Sequence, residues 1–192
     1  MIELDPVDRI TTGAVGPPGE RVFYLQGRRS ELLVTILVEK QQVELLAASL
    51  VEILARAGKE IGTGPAEAEM ELEEPVVPEW RAGRLSIGYD EDRDLVLLEA
   101  EEYFEADEDG PEELPEPVEP APPKPAPPKP APPERDPGKV RFWTSPEQAL
   151  ALARQGAAVA AAGRPRCQFC GNPMDPEGHI CPAMNGHHQA EA

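Results

Sequence analysis

Thirteen of the chain's 24 prolines fall between Glu105 and Pro137, and this clustering limits the fold more than any other feature of the sequence. The same segment carries ten acidic and three basic side chains, a formal charge of −7, and almost no large apolar group. It cannot offset its ordering entropy by burial, so residues 105–137 are expected to form a disordered, acidic Pro/Glu-rich linker. Within it the unit PAPPK recurs as PAPPK-PAPPK-PAPPE from Pro120 to Glu134. Polyproline II rises ~3.1 Å per residue, so this run reaches on the order of 45 Å as a semi-rigid spacer. Docking on an SH3-like partner is the alternative use, but a spacer needs no partner.

Two foldable stretches remain. Residues 1–104 hold 22 acidic and 10 basic side chains, and residues 138–192 hold 4 and 5, so the net charge of −18 belongs to the first stretch and the linker. Such an acidic surface repels phosphate backbones, which disfavours nucleic acid as a partner. The small basic cluster Arg154, Arg164 and Arg166 is the local exception, read more simply as solvated charge. MIELDPVDRI lacks the basic region and apolar run of a secretory signal, and charges interrupt every apolar stretch well before the ~18 residues a membrane span needs. Three clustered cysteines at ligand spacing do not resemble a disulfide framework. A soluble, reduced, cytoplasmic protein is expected.

Periodicity predicts an α+β fold with a mainly antiparallel sheet and two packing helices. Residues 1–104 read as a β-β-α-β-β domain. GAVGPPGE, Gly13 to Glu20, reads as a surface loop, without a strand before it and without the Lys-Ser/Thr of a phosphate-binding loop. RVFYLQG, apolar on both faces, and LLVTILVEK, alternating in period two, form a hairpin. From Gln41 the period changes: Val43, Leu46, Ala47, Leu50, Ile53 and Leu54 mark an amphipathic helix ending near Gly58. RLSIGYD and LVLLEAEEY follow as strands with one solvated face. Residues 138–163 supply a strand, KVRFWTS, and an Ala-rich helix opened by Ser145, Pro146 and Gln148 as cap, first residue and capping-box partner. A lone strand leaves its backbone unpaired, so this pair is expected to pack back on the first domain, the strand adding to a sheet edge.

Every cysteine and histidine lies between Cys167 and His188, in CQFCGNPMDPEGHICPAMNGHH. Zinc takes four thiolate or imidazole ligands in a tetrahedron, and Cys-x-x-Cys offers two from one tight knuckle. Cys167 and Cys170 have that spacing, with Gly171 to relax the turn, and Cys181 is the third ligand by elimination. His187, returned toward Cys181 by Asn185-Gly186, is the first choice for the fourth; His179 is the alternative and His188 a further one. Residues 164–192 are thus expected to be a small zinc-ribbon-like tail holding structural zinc. A redox Cys-x-x-Cys would want a βαβ context, and an iron–sulfur cluster a fourth cysteine. No histidine precedes Cys167, so the His-x-Glu of zinc deaminases is missing.

MIELDPVDRITTGAVGPPGERVFYLQG, the RFW strand before the Ser-Pro-Glu-Gln helix, and CGNPMDPEGHICP followed by NGH together resemble an uncharacterised actinobacterial family, domain of unknown function number 3090. The resemblance covers both foldable stretches. It implies a metal-binding tail and no reaction.

Three functions compete. The first is a non-catalytic interaction or accessory protein with a protein partner, motivated by the lack of any His or Cys in residues 1–138. Asp90, Asp92, Asp94 and Glu99 read there as turn or solvated-face charge. The second is a metal-dependent enzyme with an open zinc position and Asp175 or Glu177 as base. The third is a zinc-ribbon nucleic-acid binder, for which the tail offers little basic or aromatic surface.

Overall fold

The structure is a computed structural model; it describes residues 1–58, 61, 62, 64–104, 136–163, 167–172, 174 and 181–184. The linker from 105 to 135 lies outside the described residues. The elements are β1 (Ile2–Leu4), β2 (Arg9–Val15), β3 (Val22–Arg29), β4 (Leu32–Val38), α1 (Lys40–Ala57), β5 (Ala82–Asp90), β6 (Leu95–Glu102), β7 (Lys139–Thr144) and α2 (Pro146–Ala161), with short 3₁₀ turns at Glu67–Met70 and Pro182–Met184. They build an α+β fold with two sheets, ordered β1-β7-β6-β5 and β2-β3-β4. The strand ladders are antiparallel except β1 with β7.

Local chemistry explains the element ends. The two-residue turn between β3 and β4 places Ser30 at φ 51, and its amide donates to Asp8 Oδ2 at 2.5 Å. At the start of α1 the Gln42 side chain accepts from the Glu39 amide at 2.8 Å, and Gly58 ends the helix at φ 64, where a Cβ would be strained. Ser145 caps α2 by accepting from the Gln148 amide at 3.3 Å, while Gln148 Oε1 accepts from the Ser145 amide at 3.1 Å.

Burial then assembles the layers. Val43, Leu46, Ala47, Leu50 and Leu54 form the buried stripe of α1, and each fully buried leucine contributes roughly 1.5–3 kcal/mol. The two sheets meet where Phe142 of β7 lies on Gly27 of β3: a Cβ on Gly27 would fall 2.5 Å from the ring. α2 sits on α1 and β2 through Gly156, whose Cβ would be 3.3 Å from Val43, 3.4 Å from Ala47 and 3.5 Å from Thr12.

Three expectations are corrected. Two strands, β1 and β2, precede the predicted hairpin, so the order before α1 is four strands. Gly13 to Val15 belong to β2, and only residues after Val15 in GAVGPPGE form the turn. β2 escapes notice because both its faces are covered. Thr11 is buried and donates to the Met70 carbonyl, Leu72 overlies Gly13, and Thr12 faces α2 and donates to the Tyr24 carbonyl at 2.8 Å. Polar residues satisfied on both faces give no period-two signal. Third, β7 is internal: it pairs with β6 on one side and β1 on the other. Its alternation of buried Val140, Phe142 and Thr144 with half-buried Lys139, Arg141 and Trp143 reports one covered face and says nothing of its neighbours.

The acidic connection after α1 is a strap on the second sheet. Gln26, buried in β3, donates to Thr35 Oγ1 and to the Glu73 carbonyl, both at 3.0 Å, and accepts from the Glu73 amide at 2.8 Å. Further along, the Glu79 amide donates to the Thr35 carbonyl at 2.9 Å and the Leu37 amide to the Trp80 carbonyl at 3.0 Å.

Candidate metal centre

Beyond α2 the chain forms a tight knuckle. The Cys167 amide donates to the Asn172 carbonyl at 2.8 Å, the Gly171 amide donates to the Cys167 carbonyl at 2.8 Å, and Gly171 takes φ 74, so glycine suits the reversal. This geometry points the sulfurs of Cys167 and Cys170 the same way. Cys181, placed just before the 3₁₀ turn Pro182–Met184, joins them. The three sulfurs lie within 4.8 Å of one another, with Cys167 Sγ 3.8 Å from Cys181 Sγ. Tetrahedral zinc at ~2.3 Å from each sulfur requires sulfurs about 3.8 Å apart. The donor set therefore fits a thiophilic ion, and the three cysteines could hold one.

The surroundings favour thiolate at one sulfur of the knuckle. Burial alone would push the Cys167 thiol up, but the amides of Cys170 and Phe169 and the neighbouring thiols of Cys170 and Cys181 outweigh it and draw it below the ordinary thiol value. The Phe169 amide donates to Cys167 Sγ at 3.4 Å. At Cys170 the Asn172 amide pulls downward, yet burial and the adjacent Cys181 and Cys167 raise the thiol overall. Cys167 and Cys181 are buried and Cys170 is partly exposed.

A family model matches residues 2–181, and its description is "Protein of unknown function (DUF3090)". The chain belongs to this family. No curated protein and no solved structure matches it. The matched span runs from β1 to Cys181 and contains all three cysteines.

His179, His187 and His188 lie outside the described residues, as do Asp175, Glu177, Arg164 and Arg166. Arg154 is exposed on α2. Three of the carboxylates from Asp90 to Glu99 have structural partners: Asp90 Oδ1 accepts from the Asp92 and Arg93 amides at 3.1 Å each, Asp94 accepts from the Tyr89 hydroxyl, and Glu99 accepts from Arg141 Nε at 2.6 Å. Two grooves, one between α1 and β5 and one between α1 and α2, share no residue with the cysteine cluster. The first passed unseen in the sequence because it joins faces of α1 and β5 that are separated by the strap. Its one visible sign is Leu45, an apolar residue off the buried stripe of α1. No helix among the described residues is long and apolar enough to cross a membrane.

Proposed function

We propose that the chain is a non-catalytic cytoplasmic interaction or accessory protein whose C-terminal tail is closed by one structural zinc ion. Cys167, Cys170 and Cys181 are three of the ligands and His187 the fourth, with His179 as the alternative. The approach of three sulfurs to within 4.8 Å, two of them on buried residues, carries this reading. An ion held by four ligands close in sequence has no position left for water, so it supplies folding energy and no reaction. The reduced thiols suit the cytoplasm. The partner is a protein, since net −12 on residues 1–104 opposes polyanions.

Protein purified anaerobically without chelator should carry about one zinc per chain, and Cys170→Ser should lose it. X-ray absorption at the zinc edge should find three sulfurs and one nitrogen, with His187→Ala and His179→Ala deciding which histidine supplies the nitrogen. Metal-free protein would overturn the site; a shell of three sulfurs and an exchangeable water would overturn the structural role in favour of a metal-dependent enzyme.

A further inference from the structure

β5 ends the four-stranded sheet, and among the described residues no strand pairs along its other side. Edge strands of this kind are templates for another chain, and proteins normally blunt them with short length, lysine, proline or a cover. The fold does so elsewhere. β1, the opposite edge, is three residues long and lies just before Pro6. The edge of β4 is covered by the strap through the bonds of Glu79 and Trp80. Among the described residues, Gln42 Nε2 covers the start of β5 by donating to the carbonyls of Ala82 and Gly83 at 3.2 Å each. From Arg84 to Asp90 the strand RLSIGYD has neither lysine nor proline.

We propose that this edge pairs with β5 of a second copy of the same chain, antiparallel about a two-fold axis at Ile87, joining two four-stranded sheets into one of eight strands. The occupant is specified by self-complementarity. With Ile87 opposite Ile87, Leu85 meets Tyr89, Ser86 meets Gly88, and Arg84 meets Asp90, so both charged positions fall opposite their counter-charge, twice by symmetry. All four outward positions, Arg84, Ser86, Gly88 and Asp90, stay on one face because the side-chain period is two. Arg84 already reaches Glu101 at 2.7 Å within its own sheet; the second copy's Asp90 extends that pair into a row of alternating sign.

The inner face gives the apolar part. A groove of ≈ 480 Å³ opens between α1 and β5, its lining including Leu45, Ile53, Leu85 and Ile87. Leu45, off the buried stripe of α1, is 67% exposed. A second copy brings its own Leu45, Leu85 and Ile87 to the same groove, so apolar surface on both sides leaves water together. A one-residue slip would set the second copy's Leu85, Ile87 and Tyr89 on the opposite face, and a two-residue slip would part Arg84 from Asp90, so the two together fix the register.

Sedimentation equilibrium of the full chain should give about twice the chain mass of 20.8 kDa at micromolar concentration. Arg84→Glu sets like charges opposite each other at two places and should weaken self-association by about tenfold or more; adding Asp90→Arg should restore it. Because Asp90 also caps its turn, a photo-crosslinking benzoylphenylalanine at position 86, with both charges native, supplies an independent reading. A covalent dimer whose joined peptides both contain residues 84–90 is expected. A monomer throughout the micromolar range, a cross-link to another element or another protein, or an Arg84→Glu variant that dimerises as well as the native chain would overturn the proposal.

Discussion

Gly27 is where the two sheets touch, since a Cβ there would sit 2.5 Å from the Phe142 ring. Neither ring nor strand can withdraw in a packed core, so Gly27→Ala should cost about 1–3 kcal/mol, read as a lower urea midpoint with the m-value unchanged. Glu99 illustrates a smaller, titratable contribution. Its carboxyl is held below the usual range chiefly by the hydrogen bond from Arg141, against the opposing effect of burial, with Lys139 adding to Arg141. The folded carboxylate therefore takes up its proton at lower pH than the unfolded one. Its stabilisation is complete above about pH 4.3 and is lost as pH falls through the folded value. Glu99→Gln should cost roughly 0.5–1 kcal/mol at pH 7, and in urea titrations the difference between the two proteins should shrink as pH falls below about 4.3. Gly27 reads in sequence as the end of a strand, and its partner on the far side of the insertion leaves no local mark. Glu99 is legible as an outward position of β6, whereas its pairing with Arg141 depends on the β6–β7 register, Glu99 opposite Arg141.

Among the elements, α2 is the most legible. Its cap, its proline and its capping box stand together as Ser145, Pro146 and Gln148. The same glutamine also reaches outward, donating to the Asp8 carbonyl at 3.1 Å, so the helix start is tied to the segment before β2. Ser145→Ala should lower stability by about 1 kcal/mol, and Ser145→Asp, which restores an acceptor for the Gln148 amide, should recover most of it in thermal melts. β2 is the least legible element, because Thr11 and Thr12 are buried by hydrogen bonding to a strap and a neighbouring strand. Hydrophobic alternation reports burial only where burial excludes polar side chains.

For the molecule as a whole, the acidic insertion leaves and rejoins the sheet at neighbouring points. The Glu102 amide donates to the Gly138 carbonyl at 2.7 Å, and the Gly138 amide donates back to Glu102 Oε2 at 2.8 Å. β6 and β7 are therefore adjacent antiparallel strands joined by a very long connection. Closure entropy changes by only ~0.6 kcal/mol per doubling of loop length. Replacing residues 106–135 with a short Gly/Ser loop should accordingly alter stability by no more than about 1–2 kcal/mol, toward the stable side. Residues 1–104 alone lack β7, the strand between β6 and β1, and should be unfolded or insoluble when expressed alone. Circular dichroism melts of the two proteins check this, and a fragment that unfolds cooperatively at the temperature of the full chain would divide the molecule into separate domains.

Length, periodicity and capping chemistry in the sequence itself determined the hairpin β3–β4, both helices, the two strands β5 and β6, the insertion, and the cysteine spacing of the tail. Each of these is a local property: a backbone conformation, a half-buried face or a tight turn is written in residues close to one another. Tertiary structure alone decided the rest. Only the register across the insertion makes β7 internal, and only cover from α2 and the strap turns RITTGAV into a strand. The pairing of Gly27 with Phe142 likewise joins residues distant in the chain. Such contacts form because each partner removes apolar surface or satisfies a buried polar group of the other, and neither residue carries that information without its partner.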